Sequence, residues 1–179
     1  RHLRFAAARA GRLLRVAGVN AASPARRVLL ALTAVAAAFV LFHGQLATAV
    51  VARADDALRA GDVPVALRLY ARARTIDPRS VPAADRLAFY LAMRHERAAS
   101  QQAIAVAGDA IAHARPNAAL FADRAFAEVQ LQRWREAERD FARAGSIAGD
   151  ARYEHFAARM ALHRDDPHAA RGYARQALA

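Results

Sequence analysis

The sequence contains no cysteine and no lysine. The first absence excludes disulfide frameworks, thiolate metal sites and thiol catalysis. The second makes every basic side chain an arginine, a pattern that reads first as coding bias. Glycine and proline are scarce, at 8 and 6 in 179 residues. β-Branched residues are sparse beside Ala, Leu and Arg, so the composition predicts helix almost throughout. Acidic residues are missing from the first 54 positions; Asp55 is the first. No Gly-rich phosphate loop and no Ser–His–Asp set occurs, which argues against an enzyme. No cofactor, metal or small-molecule substrate is expected.

The net charge of +11 invites a nucleic-acid reading, and its distribution argues against one. Residues 1–27 carry seven Arg and no acid; from residue 53 on, Arg and acid are well mixed. The excess sits beside the one long uncharged run, Val28 to Ala52, where the positive-inside bias places it. A spanning helix needs roughly twenty apolar residues, and this run has 25. It predicts a single membrane anchor bounded by Arg26 and Arg27, with Val28, Phe39 and Phe42 toward lipid. The rival is a signal peptide cleaved near Ala47-Thr48-Ala49 or Ala52-Arg53-Ala54; a 27-residue leader is long for that. His43, Gly44 and Gln45 interrupt the run near its outer third. The small pairs Ala34/Ala38 and Gly44/Thr48 permit close helix approach.

Residues 1–16 form a basic amphipathic pattern. Arg1, Arg4, Arg12 and Arg15 share one side, and Leu3, Ala6, Ala10, Leu13 and Leu14 the other. Such a helix suits the anionic inner leaflet of a bilayer. Asn20 to Pro24 breaks it, with Ser23 as a cap and Pro24 in the next first turn. The arginine bias puts residues 1–27 in the cytoplasm and residues 53–179 outside it. A chain that opens on Arg1 reads as an excerpt of a longer protein.

Residues 53–179 repeat one cadence. Ala66, Tyr70 and Ala73 are spaced four then three, as are Ala103, Ala107 and Ala110. So are Ala137, Phe141 and Ala144, and then Ala170, Ala174 and Ala177. The first alanines stand 37, 34 and 33 residues apart. Each triplet marks a helix face of small residues on which a second helix can pack closely. Breaks separate the helices: Gly61-Asp62 with Pro64, Asp77-Pro78, Arg115-Pro116 and Asp165-Asp166-Pro167.

This pattern resembles the tetratricopeptide repeat family over residues 47–179. The first unit matches as Gly61-Asp62-Val63, Ala66, Tyr70, Ala73 and Asp77-Pro78. The third matches as Phe121, Ala125, Trp134, Ala137, Phe141 and Ala144, with Gly149 where proline is usual. The fourth keeps Ala158 and its triplet but lacks the aromatic, and the second carries about three extra residues near Arg94–Ala98. The resemblance implies an all-α fold: a basic leader, one transmembrane helix, and an α-solenoid of about four helix–turn–helix repeats. It places the first repeat helix near Ala47, so anchor and repeat would share one rod, roughly 50 Å long at about 1.5 Å per residue.

The resemblance also implies a concave groove lined by the first helix of each repeat. Its groove positions here are Arg86, Phe89, Met93, Asp123, Phe126, Gln130, Arg152, His155, Phe156 and Arg159. Aromatics with arginine suit peptide recognition; ordinary packing between helices is the other reading of the three Phe. His163-Arg164-Asp165-Asp166-Pro167-His168 looks like a metal cluster but falls on a turn, where Asp caps the next helix. Asp55 and Asp56, as helix neighbours, point apart. Ala177 and Leu178 face outward at the last helix.

The expectation is a non-catalytic, membrane-anchored scaffold or adaptor. It would hold partner proteins of a bacterial cell-envelope complex of the secretion, pilus, polysaccharide-export or cytochrome-maturation kind. It would cross the inner membrane once, with its repeats in the periplasm. A periplasmic chaperone-like peptide-binding module and a non-catalytic part of a larger enzyme are the alternatives.

Overall fold

The computed structural model describes residues 24–178; the expected amphipathic leader helix lies outside them. All regular structure among the described residues is helical. The helices are α1 (Pro24–Arg59), α2 (Val63–Ile76), α3 (Val81–Ala92), α4 (Arg97–His113), α5 (Ala118–Gln130), α6 (Trp134–Ala148), α7 (Ala151–His163) and α8 (Pro167–Gln176). The chain divides into two compact units, one up to Phe42 and one from His43 onward.

In the first unit, the described residues are the opening part of α1. This is one helix long and apolar enough to cross a membrane, and none of its most apolar stretch is buried. Val28, Phe39 and Phe42 are 58%, 62% and 64% exposed. Thr33 satisfies its hydroxyl by donating to the Leu30 carbonyl of its own helix, at 2.9 Å, which removes the cost of a bare hydroxyl on an apolar surface.

In the second unit, each helix from α2 on packs against the next, and α3 also packs against α5. Local sequence chemistry sets the helix starts. The Asp62 carboxylate accepts the Val65 N–H at 3.1 Å, Asn117 accepts from Ala119 at 2.9 Å, Asp150 from Arg152 at 3.0 Å and Asp166 from Ala169 at 2.9 Å. Each satisfies an amide that the helix itself leaves unpaired. Asp77 ends α2 in an extended conformation, as the following Pro78 requires.

The turns closing α1, α3, α5 and α7 share one device. Each contains a residue with positive φ: Gly61, His95, Gln132 and Asp165. In three of them the next amide reaches back five residues, Asp62 to Ala57, Arg133 to Glu128 and Asp166 to Ala161. That is a Schellman closure. The α3–α4 turn has His95 in the left-handed conformation without that bond, where the sequence carries its extra residues.

The core is built largely of alanine. The first three triplets are buried: Ala66, Tyr70 and Ala73; Ala103, Ala107 and Ala110; Ala137, Phe141 and Ala144. The fourth is not. Ala170 is buried, but Ala174 is exposed and Ala177 only half-buried. The cadence makes a contact only where another helix lies over it, and α8 packs mainly on α7, with Tyr173 reaching Glu138 on α6. One cluster joins Ala54, Ala66 and Tyr70 to Ala84, Leu87, Ala88 and Leu91 and on to α4 and Leu120. A second gathers Ala125, Ala137, Phe141, Ala157 and Met160.

Candidate functional site

The residues expected to line a groove lie on α3, α5 and α7 and at the end of α3. They divide into packing residues, exposed residues and one buried acid.

Phe126 and Phe156 are packing residues. With Phe141 they form a three-ring cluster with centroid separations of 5.5 Å between Phe126 and Phe156, and 5.1 Å from each to Phe141. Phe141 is 1% exposed, so the cluster welds α5, α6 and α7. Phe89 and Met93 are the accessible apolar groups among them, at 41% and 52% exposure; the Phe89 and Tyr90 rings meet edge to face, centroids 5.2 Å apart. Arg86, Gln130, Arg152, His155 and Arg159 are exposed. Arg152 is bound by the Asp150 carboxylate at 2.6 Å. Arg159 borders a shallow depression with Leu162 and His163.

Asp123 behaves differently. It is 6% exposed, and Asp85 on α3 is the neighbouring acid whose charge acts on it. Burial pushes Asp123 up to about 8, helped by the Asp85 charge and opposed by Arg86. Burial likewise raises Asp85. Asp123 Oδ2 has no hydrogen-bond partner. Tyr153 on α7 is raised by burial first, then by Asp150, with Asp123 and Asp85 adding to it.

Other polar groups hold the helices together around this pair. The buried Tyr70 hydroxyl donates to Asp55, and its pKa is raised by burial first and then by that bond. Asp56, the neighbour of Asp55, pairs with Arg59 instead, so the two carboxylates do point apart. Arg124 grips Asp140 through two bonds of 2.5 and 2.8 Å. Glu128 lies beside this ion pair and is 6% exposed. Burial and then the Asp140 charge raise it to about 8, against Arg124. Glu138 is held by Arg164 and accepts from the Tyr173 hydroxyl at 3.3 Å.

The His163–His168 segment resolves into structural roles. Asp166 caps α8. His163 is the last residue of α7 and stacks on Trp134, ring centroids 4.5 Å apart. Among the described residues no three His, Asp or Glu side chains converge as a metal site would need. Gly44 and Thr48 line a depression of about 440 Å³ with Val51, Asp77, Arg79, Ser80, Val81 and Pro82, away from the acid pair.

Sequence reasoning missed Asp85, Tyr153 and Glu128. A signal for the first was present. The tripeptide Ala-Asp-Arg occurs at 84–86 and again at 122–124. Its alanine is buried both times, and its two aspartates lie on helices that pack together. Matched against known protein families and curated proteins, the sequence finds no match in either.

Proposed function

We propose that this chain is a membrane-anchored adaptor with tetratricopeptide-like repeats. It holds partner proteins of a bacterial cell-envelope complex and performs no chemistry of its own. α1 crosses the inner membrane once. The arginine-rich leader faces the cytoplasm and the helix hairpins face the periplasm. The observation that carries the anchor is the unburied apolar stretch of α1, which water would expose at a cost of ~25 cal/mol per Å². Support for the repeats comes from the recurring left-handed turn at Gly61, His95, Gln132 and Asp165, spaced close to the triplet spacing.

The partner-facing groups under this reading are the exposed Phe89 and Met93, with the exposed Arg86 one turn before Phe89 on the same helix. Large apolar side chains left open to solvent, with arginine nearby, suit the centre of a protein contact. Phe126 and Phe156 serve packing, so their substitution would disturb the fold rather than recognition.

The test is extraction of native membranes with mild detergent, capture of the chain, and quantification of what accompanies it. The adaptor reading expects discrete partners in fixed ratio, lost in a Phe89→Ala/Met93→Ala variant of unchanged helicity. A mixed set of clients would favour the chaperone-like peptide-binding module, whose support is the same exposed apolar pair. Release of the chain by alkaline wash without detergent would overturn the anchor.

A further inference from the structure

α1 changes its surroundings at one residue. Its side chains from Val28 to Phe42 lie open, and Leu46 is still 42% exposed. Ala47 is 1% exposed, and Val50 and Ala54 after it are buried. Val50 packs with Ala73 of α2 and Ala83 of α3. The hydrocarbon core of a bilayer is about 30 Å thick, a length that about twenty helical residues cross. Counted from Val28, the first residue after the arginine pair, that length ends near Ala47. Along α1, cover by protein therefore begins where the hydrocarbon would end.

The depression of about 440 Å³ straddles that point, with Gly44 before it and Thr48 and Val51 after it. The Thr48 hydroxyl donates to the Gly44 carbonyl at 2.9 Å, so α1 offers a ligand no unsatisfied side-chain group there. The rest of the lining is the α2–α3 turn and the start of α3. The Ser80 N–H donates to the Asp77 carbonyl at 3.0 Å, which closes a turn with Pro78 at its second position. Asp77 Oδ1 accepts the Arg79 N–H at 3.0 Å. The turn thus holds a carboxylate and a guanidinium two residues apart in a fixed backbone. Among the described residues no carboxylate pairs with the Arg79 guanidinium, and Ser80 gives its hydroxyl to no amide of α3.

We infer that this depression holds the headgroup of a zwitterionic aminophospholipid, its phosphate on Arg79 and its ammonium on Asp77. A guanidinium is a fork of N–H donors that matches two phosphate oxygens at once. A carboxylate accepts from an ammonium, which has three protons to give. The two side chains carry opposite charges that cancel, so the ligand they suit is one whose own charges cancel. A quaternary amine headgroup has no N–H for Asp77, and an anionic headgroup brings no cation to it, so the acid selects against both. Val51, Val81 and Pro82 complete the lining with apolar surface for the glycerol and the first acyl carbons. Pockets with basic groups beside membrane helices take lipid headgroups in this way.

This inference rests on the anchor part of the proposed function and is independent of the adaptor part. It supplies a variant that blocks the site without straining the fold. A side chain added at Gly44 meets nothing within 4 Å, and leucine is a better helix former than glycine, so Gly44→Leu fills the depression and leaves α1 intact.

The test is native mass spectrometry of the full chain in detergent, with phosphatidylethanolamine, phosphatidylcholine and phosphatidylglycerol added in equal amounts. The expected result is one lipid retained per chain, with the ethanolamine lipid favoured about fivefold over either of the others. Retention should fall about tenfold in Arg79→Gln and in Gly44→Leu. Asp77→Asn should keep a lipid but lose the preference for the primary amine over the quaternary one. Equal retention of the three lipids, or retention unaltered by both Arg79→Gln and Gly44→Leu, would overturn the site. Displacement of the lipid by soluble glycerophosphoethanolamine would assign the depression to a soluble phosphodiester instead. A species of doubled mass that disappears in Gly44→Leu would assign it to a second copy of this chain. Either result would overturn the lipid. The alkaline wash separates the two failures: a chain released by it has no anchor, whereas a chain that stays in the membrane and retains no aminophospholipid lacks only this site.

Discussion

The α5–α6 hairpin and the α7–α8 hairpin carry the same alanine cadence and different cores. On α6, Ala137, Phe141 and Ala144 are all buried, under α5 and α7. On α8, only Ala170 is enclosed, while Ala174 is exposed. Spacing therefore sets which residues share a helix face; burial is decided by whether a second helix covers that face. The aromatic of the triplet marks the difference. Phe141 sits on α6 where a large side chain has Phe126 and Phe156 to fill against, and the corresponding position on α8 is Ala174, with nothing to fill.

The largest break in this comparison is a charge at equivalent positions. Ala137→Glu combines overpacking with an unpaired buried carboxylate and should destabilise by about 4 kcal/mol or more. Ala174→Glu, on open surface, should stay within about 0.5 kcal/mol. Urea melts of the two variants check it; equal effects would mean that the two hairpins are packed alike.

Next comes pH. Asp123 and Glu128 both lie on α5 and both titrate at about 8 in the folded chain, against ordinary values of 3.8 and 4.5. The folded state then binds more protons than the unfolded state between about pH 4 and about pH 8, so stability falls as pH rises through that window. Below it the penalty is absent, and above it the penalty is constant. An Asp123→Asn/Glu128→Gln variant should flatten the slope. A wild-type urea midpoint that climbs from about pH 5 to about pH 8 would reverse the assignment.

The smallest effect sharpens the turns. Gln132 and Gly61 occupy matching left-handed positions. Gln132→Gly should stabilise by ~0.5 kcal/mol, and Gly61→Ala should cost up to about 1 kcal/mol. Thermal melts of the pair read both signs.

Much of this fold was legible in residues whose effect is local. Gly61-Asp62-Pro64 and Asp165-Asp166-Pro167 contain a left-handed turn residue, a cap and a first-turn proline, and they act wherever they stand. The first three triplets were legible for the same reason: small residues at helical spacing make a face. The fourth was not, since coverage by another helix is a tertiary fact. The division of the expected groove was hidden too. Phe89 and Phe126 sit four and three residues after the aspartate of the same Ala-Asp-Arg tripeptide, and that single step turns one ring outward and the other onto Phe141. Asp85 and Glu128 read as solvated helix charges until α5 packs against the helix of the first and α6 against that of the second.

Alanine seams have a thermal consequence. An alanine side chain has no rotamers to freeze and little apolar surface to withdraw from water, so forming these contacts changes hydration modestly for each residue ordered. The heat capacity released to solvent on unfolding should therefore be low for a chain of this length, since it scales with newly wetted apolar area. A low heat-capacity change flattens the curve of stability against temperature. The helical unit would hold a nearly even, modest margin from cold to warm conditions, where a core of large side chains gives a taller and narrower dome.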